Sequence, residues 1–196
     1  MEQTSNAAPL RPAAFIDRDG VINRELDYVH RPEDFHLLQG AITGLQHLQA
    51  AGYALVVVTN QAGIARGLYS EADYEHLTRY MRALLREHGV ELAGVYHCPH
   101  HPTAGIGAYR VDCTCRKPQP GMLLDAARDL GLSLPHSVLV GDKASDVEAG
   151  RRAGVRHCVL VSSGHALSAV DRSAADGCFS GLEDAASWLV AQAQQT

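Results

Sequence analysis

Phe15-Ile16-Asp17-Arg18-Asp19-Gly20 sets two carboxylates one residue apart at the end of an apolar run. Ala13, Ala14, Phe15 and Ile16 read as a short buried strand, and Gly20 marks the point where extended backbone breaks. Side chains alternate along a strand, so Asp17 and Asp19 are expected to share a direction, into a crevice, with Arg18 pointing away. Two anions so close repel each other. A divalent cation resolves the repulsion, because Mg2+ takes oxygens from one or two carboxylates and keeps water or phosphate oxygens on its other positions. An Asp-rich turn after a strand is the simpler alternative.

Beyond that stretch, apolar runs alternate with helical stripes. Residues 21–35 lack periodicity and hold Asn23, Glu25, Asp27, Tyr28, His30 and Pro32, a loop expected beside the site. Ala41, Ile42, Leu45 and Leu48 form a helical stripe that stops at Gly52. Residues 53–58 are continuously apolar, the pattern of a strand covered on both faces, and run into Thr59-Asn60-Gln61. Ser70 and Asp73 open a second helix as a capping box, with Tyr74, Leu77, Tyr80, Met81, Leu84 and Leu85 as its stripe. Further strands are expected at 90–97, 137–140 and 158–161, with a weak one at Cys178-Phe179. Helices are expected at 120–130, 144–153 and around 182–190.

Such alternation predicts an α/β fold, a three-layer, Rossmann-like parallel sheet flanked by helices. A single domain over residues 1–196 is expected, with 98–115 as an inserted loop and 1–12 and 192–196 flexible. Ligands of such sheets bind outside the carboxyl ends of the strands. Three expected strand ends carry polar groups: Asp17 and Asp19, Thr59 and Asn60, and Asp142.

The 196 residues are 46% hydrophobic and 20% charged, with a formal net charge of -5. A chain with no lysine-rich patch is a poor match for a phosphate backbone, which argues against nucleic acid as partner. No basic start leads into an apolar stretch, and no run reaches the roughly 18 apolar residues of a membrane span. A cytoplasmic monomer without membrane partners is expected. Three of the five cysteines, Cys98, Cys113 and Cys115, share a segment with His97, His100 and His101, which suits metal better than disulfides. Cys98-x-His100 and Cys113-x-Cys115 supply four ligands for a closed, structural Zn2+ site, and His97 or His101 could stand in for His100. Cys115 immediately precedes Arg116-Lys117, so zinc would fix the backbone from which Lys117 projects.

A phosphomonoester entering this crevice as a dianion needs cations between itself and the acids. Asp17 and Asp142 are candidates to hold Mg2+, together with a main-chain carbonyl near Asp19. Lys117 can supply a second cation, and the Thr59 hydroxyl can bind a phosphoryl oxygen. Asp17 would then attack phosphorus, while Asp19 protonates the leaving alkoxide and later deprotonates water. Lys143 either pairs with Asp142 or Asp146 or acts through its backbone; Arg66 is a surface residue or a ligand; Cys158 and Cys178 are core residues.

Asp17-x-Asp19-Gly20, Thr59-Asn60, Lys117-Pro118 and Gly141-Asp142-Lys143-x-x-Asp146 resemble, in order, the four motifs of the haloacid dehalogenase-like phosphatases. The resemblance implies Asp17 as nucleophile, Asp19 as acid and base, Thr59 and Lys117 as phosphate ligands, Asp142 as metal ligand, and Asp146 as a supporting acid near Lys117 or the metal. Longer strings around these motifs, with Cys113-Thr114-Cys115, are similar to a cap-less branch that dephosphorylates a heptose bisphosphate in lipopolysaccharide-precursor synthesis. That similarity implies a small phosphorylated sugar as partner. It assigns Glu25, Leu26, Asp27, Tyr28, Asn60, Gln61 and Ala62 to the sugar pocket, with Arg116 at the phosphate end. Histidinol-phosphatases share the acids and a similar cysteine loop and remain an alternative. A receiver-like regulatory domain, which accepts phosphate on an Asp of a middle strand, is the alternative from a different class.

Overall fold

A computed structural model of the chain describes residues 10–194. β1 (Ala13–Ile16), β2 (Ala54–Asn60), β3 (Leu92–Cys98), β4 (Val138–Gly141), β5 (His157–Val161) and β6 (Cys178–Phe179) form one sheet, ordered β3-β2-β1-β4-β5-β6. Every pairing is parallel. The helices are α1 (Ala41–Ala50), α2 (Ala62–Ala65), α3 (Glu71–Glu87), α4 (Gly121–Leu130), α5 (Ala144–Ala153), α6 (Ala169–Ala174) and α7 (Leu182–Ala193).

Apolar residues on successive strand positions serve two different cores. Ala14, Ile16, Leu55, Val57 and Val140 face a cluster completed by Leu45 and Leu48 of α1, Leu77 and Met81 of α3, and Leu189 of α7. Ala13, Phe15, Val56, Val58 and Leu139 face the other, completed by Met122 and Leu123 of α4 and Val147 of α5. A strand covered on both faces has no use for polar alternation, hence the unbroken apolar runs. Each large aliphatic side chain so buried contributes about 1.5–3 kcal/mol. Phe15 is wholly buried directly before the acids, and truncating it to Ala would open a cavity beneath them at a cost of about 3–5 kcal/mol.

β1 lies at the centre, with Ile16 opposite both Val57 of β2 and Val140 of β4. Strand order reverses there, and a crevice opens between the carboxyl ends of β1 and β4. The order also differs from the 2-1-3-4-5 sheet of receiver-type domains, which sets the regulatory alternative aside.

Several elements depart from the sequence reading. The third strand begins at Leu92, two residues later than expected, and runs on to Cys98, so the first soft ligand ends a strand. Helices α2 and α6 are four and six residues long, too short to print a stripe on the sequence. Tyr80 of α3, expected in the core stripe, is 38% exposed and meets Phe35 edge-on at 6.2 Å. Two segments expected to be flexible are tied down: the Arg11 carbonyl accepts from Ser133 N–H and the Pro12 carbonyl from Ala54 N–H, both at 2.9 Å. Helix α7 likewise continues to Ala193. The rest of those expected tails, residues 1–9 and 195–196, lies outside the described residues. Among the described residues no helix is long and apolar enough to cross a membrane.

Candidate active site

Past Ile16 the backbone stays attached to β4, with Asp17 N–H donating to the Val140 carbonyl at 2.9 Å. It then turns back at Gly20, whose φ of 85° favours glycine. Carboxylate oxygens of Asp17, Asp142 and Asp146 lie within 4.8 Å of one another, and all three residues are buried. Lys117 sits among them. Its Nζ is 2.9 Å from Asp17 Oδ1 and 2.6 Å from Asp146 Oδ1, and it donates to the Val58 carbonyl at 2.8 Å. Burial opposes the charge on Lys117, but Asp146 and Asp17 hold it above the usual ammonium range.

One ammonium cannot balance three acids. Burial pushes the Asp17 carboxyl up to about 7, Lys117 pulls it back, and Asp146 and Asp142 push it up again. Asp142 is also raised, first by burial. Its Oδ1 is buried without a hydrogen-bond partner, while Oδ2 faces Nδ1 of His165 at 2.5 Å. The loop after β5 closes over this carboxylate. A Cβ on Gly164 would stand 2.2 Å from Asp142 Oδ2, and one on Gly20 2.3 Å from it. An unpartnered buried carboxylate oxygen beside a second acid is a donor set that fits a hard divalent cation.

Asp146 has a different task from Asp17 and Asp142. Its Oδ2 accepts from the backbone N–H groups of Asp142 and Lys143, capping α5. Lys143 pairs with neither expected partner by its side chain; its Nζ lies 3.5 Å from Glu25, across the crevice mouth.

Asp19 stands outside the three-acid group, so only its main chain is left for the metal expected there. Its carboxylate is instead surrounded by donors. Arg18 Nε reaches Oδ2 at 3.1 Å and Arg18 Nη2 reaches Oδ1 at 3.0 Å, while Asn23 Nδ2 and Gln61 Nε2 add bonds of 3.0 and 3.1 Å. Arg18, expected to point away, is 1% exposed. The strand has ended by Ile16, so alternation no longer governs it, and a buried guanidinium goes where a carboxylate can pair with it.

Thr59 and Asn60 close the β2 end. Asn60 bonds both the N–H and the carbonyl of Lys117 at 3.0 Å. Thr59 Oγ1 accepts from Gln61 Nε2 at 2.8 Å, which leaves its proton free to donate elsewhere.

The second cluster lies beside this rim. Cys98, His100, Cys113 and Cys115 bring their ligand atoms within 4.8 Å of one another, with Cys115 Sγ 3.0 Å from Cys98 Sγ and 3.4 Å from His100 Nδ1. The hydrogen bond it shares with Cys98, with further help from His100, lowers the Cys115 thiol to about 5. The expected alternatives stand outside this group: the His97 ring packs at a tilt against Tyr74 with centroids 4.0 Å apart, and His101 Nδ1 accepts from Ala104 N–H at 3.0 Å. Arg116 donates to the His100 carbonyl at 3.0 Å and so ties this loop to the crevice.

A cavity of about 240 Å3 opens over Asp19, lined by all six expected substrate residues: Glu25, Asp27, Tyr28, Asn60, Gln61 and Arg116. Ala62 lines it too; Leu26 does not, and stands 51% exposed. Arg66 is exposed, its guanidinium 6.0 Å from the Tyr28 ring. Tyr69, Lys143 and His165 complete the lining. Sequence reasoning missed Tyr69 and His165. His165 follows β5, a strand end that carries no acid to draw notice. Among the described residues, a larger groove of about 620 Å3 between α1 and α7 is lined by no carboxylate and by one titratable side chain, His47.

The sheet order and the ringed acids define the class of haloacid dehalogenase-like hydrolases, and a HAD-hydrolase-like family model matches residues 114–185. A D-glycero-alpha-D-manno-heptose-1,7-bisphosphate 7-phosphatase of Photorhabdus laumondii is 48% identical over 155 residues, 79% of this chain and 85% of that relative. A D-glycero-beta-D-manno-heptose-1,7-bisphosphate 7-phosphatase of Vibrio cholerae is 43% identical over 180 residues, 92% of this chain and 97% of that one. The solved structure of D,D-heptose 1,7-bisphosphate phosphatase from B. bronchiseptica, complexed with magnesium and phosphate, superimposes with a TM-score of 0.78 at 30% identity, covering 92% of this chain and 99% of that one. The chain belongs to the family of D-glycero-D-manno-heptose-1,7-bisphosphate 7-phosphatases.

Proposed function

We propose that this chain hydrolyses the 7-phosphate ester of D-glycero-D-manno-heptose 1,7-bisphosphate, a step toward the heptose precursor of lipopolysaccharide. The observation that carries the reading is the Lys117 ammonium between Asp17 and Asp146, with Asp142 Oδ1 buried and unpartnered beside them. The relatives described above are named for this substrate, which favours it over histidinol phosphate. Cytoplasmic action by a single-domain monomer, with no nucleic-acid or membrane partner, goes with a soluble sugar phosphate.

Asp17 is the nucleophile in this reading. Lys117 Nζ and the Arg18 backbone N–H both converge on its Oδ1, so Oδ2 keeps its lone pairs for phosphorus. Asp17 and Asp142, with the main-chain carbonyl of Asp19, would hold Mg2+. Bound there, the ion neutralises charge on the phosphoryl oxygens as the acids face them. The bond from Asp17 to phosphorus forms as the bond to the sugar oxygen breaks, and Asp19 gives that oxygen a proton. Asp19 then takes a proton from water as the water displaces Asp17 and releases inorganic phosphate. Thr59 and Lys117 bind phosphoryl oxygens throughout. Glu25, Asp27 and Tyr28 face the sugar hydroxyls, and Arg116 faces the second phosphate.

The thiol and imidazole cluster fits a closed Zn2+ site. Three sulfurs and one ring nitrogen, all within mutual reach, leave no open position, so the role is structural.

A phosphate-release screen with Mg2+ tests the reading, over both anomers of the heptose bisphosphate, other sugar phosphates and histidinol phosphate. Fastest turnover is expected on the heptose bisphosphate, and none from Asp17→Asn. Faster turnover on histidinol phosphate would overturn the substrate; an active Asn variant would overturn the covalent route.

A further inference from the structure

Gln61 faces the sugar cavity, yet its amide is spent inward. Nε2 donates at once to Asp19 Oδ2 at 3.1 Å and to Thr59 Oγ1 at 2.8 Å. Oε1 accepts from the Tyr69 hydroxyl at 2.5 Å and lies 3.4 Å from Arg18 Nη2. Gln61 is 2% exposed and Tyr69 7%.

A primary amide can sit in either of two orientations half a turn apart. The wrong one would place Oε1 against the Asp19 carboxylate, oxygen on oxygen, and leave Thr59 without its donor. The Asp19 carboxylate, which only accepts, and the Arg18 guanidinium, which only donates, decide between the two, and the Tyr69 phenol, which burial pushes up so that it keeps its proton, adds a second donor to Oε1. Tyr69 is itself built in. Its ring stacks on His30 at 4.9 Å with planes 4° apart, and a Cβ on Gly63 would lie 2.0 Å from it, so only glycine lets α2 approach.

The geometry points to Gln61, locked by Tyr69, as a positioning residue for Asp19 and not a ligand of the sugar. The inference rests on the proposed role of Asp19 as proton donor to the leaving oxygen. Such a donor matters for an alkoxide, which leaves poorly as an anion, and little for a nitrophenolate, which leaves well unaided. Loosening Asp19 should therefore slow the two kinds of ester unequally. Losses through Thr59 or through general instability fall on both alike.

The test compares wild type with Tyr69→Phe, and with Gln61→Met as a second variant should the first fail to fold, on the heptose bisphosphate and on 4-nitrophenyl phosphate. Expected is a kcat on the sugar ester about tenfold or more lower, with KM within about twofold, because a misplaced proton donor costs rate and not binding. On the aryl ester kcat/KM should fall less than about threefold. Equal losses on both esters, no loss on either, or a raised KM for the sugar at unchanged kcat would each overturn the inference. A wild type inactive on the sugar but active on the aryl ester would instead overturn the substrate reading.

Discussion

Asn60 holds Lys117 by both edges of one amide, Oδ1 accepting from the Lys117 N–H and Nδ2 donating to the Lys117 carbonyl, each at 3.0 Å. Residues 57 positions apart are thereby locked as if neighbours, and the ammonium is aimed at Asp17 from a fixed base. Asn60→Asp keeps the shape but sets an oxygen against the Lys117 carbonyl. Expected is a fall in kcat/KM of about 10–100-fold from the lost donor and misaimed ammonium. Steady-state kinetics check this, and wild-type values would refute it.

Lys117 is the counter-ion of two buried carboxylates, and removing it strands both. Lys117→Met should lower stability by about 3–5 kcal/mol in denaturant melts without Mg2+. Adding Asp146→Asn removes one stranded charge, so the double variant is expected to melt higher than Lys117→Met alone. A double variant that melts lower would show that Asp146 matters through its α5 cap and not through Lys117.

Burial raises Asp17 from 3.8 to about 7 in the metal-free protein. The folded state thus holds a proton that the unfolded chain has already released, and this group's contribution to stability falls as pH rises through that window. A bound divalent cation favours the ionised acid, so the rise in Tm on adding Mg2+ should grow between about pH 4 and 7. His97 and His157, both lowered first by burial, titrate nearby, but they contribute alike with and without Mg2+ and cancel in the difference. A Mg2+ increment that is flat or shrinking with pH would refute the assignment.

Cys115 is separated from Lys117 by Arg116 alone. If the cluster holds zinc as proposed, treatment with a strong chelator followed by restored Mg2+ should leave activity at least about tenfold down and Tm lowered, because apparent binding energies at such sites reach about 10 kcal/mol. Cys113→Ser should behave similarly and resist rescue by Mg2+. Full activity and an unchanged Tm after chelation would remove the structural role of this cluster.

How far the sequence could be read follows from the range of the forces involved. β2 shows in the residues themselves because burial on both faces imposes an apolar run, and α3 because Ser70 and Asp73 cap it. The acids showed because a polar residue ending such a run is conspicuous, as with Asp17, Thr59 and Asp142. Arg18 did not, since pairing with Asp19 and bonding the Val29 carbonyl are satisfied only once the loop has folded back. Gln61 lines the cavity, but its amide direction depends on Tyr69, eight residues on. Lys143 was read against its near neighbours in the chain, while its side chain crosses to Glu25.

The central place of β1 has a consequence for how this molecule fails. Backbone bonds flank it on both sides, so the amide protons of residues 14–16 should trade with deuterium only when the whole sheet comes apart. Asp17, the proposed nucleophile, is attached to the last element to open. Fraying at the β6 edge would leave that attachment whole, and heat should abolish turnover and sheet structure in one step.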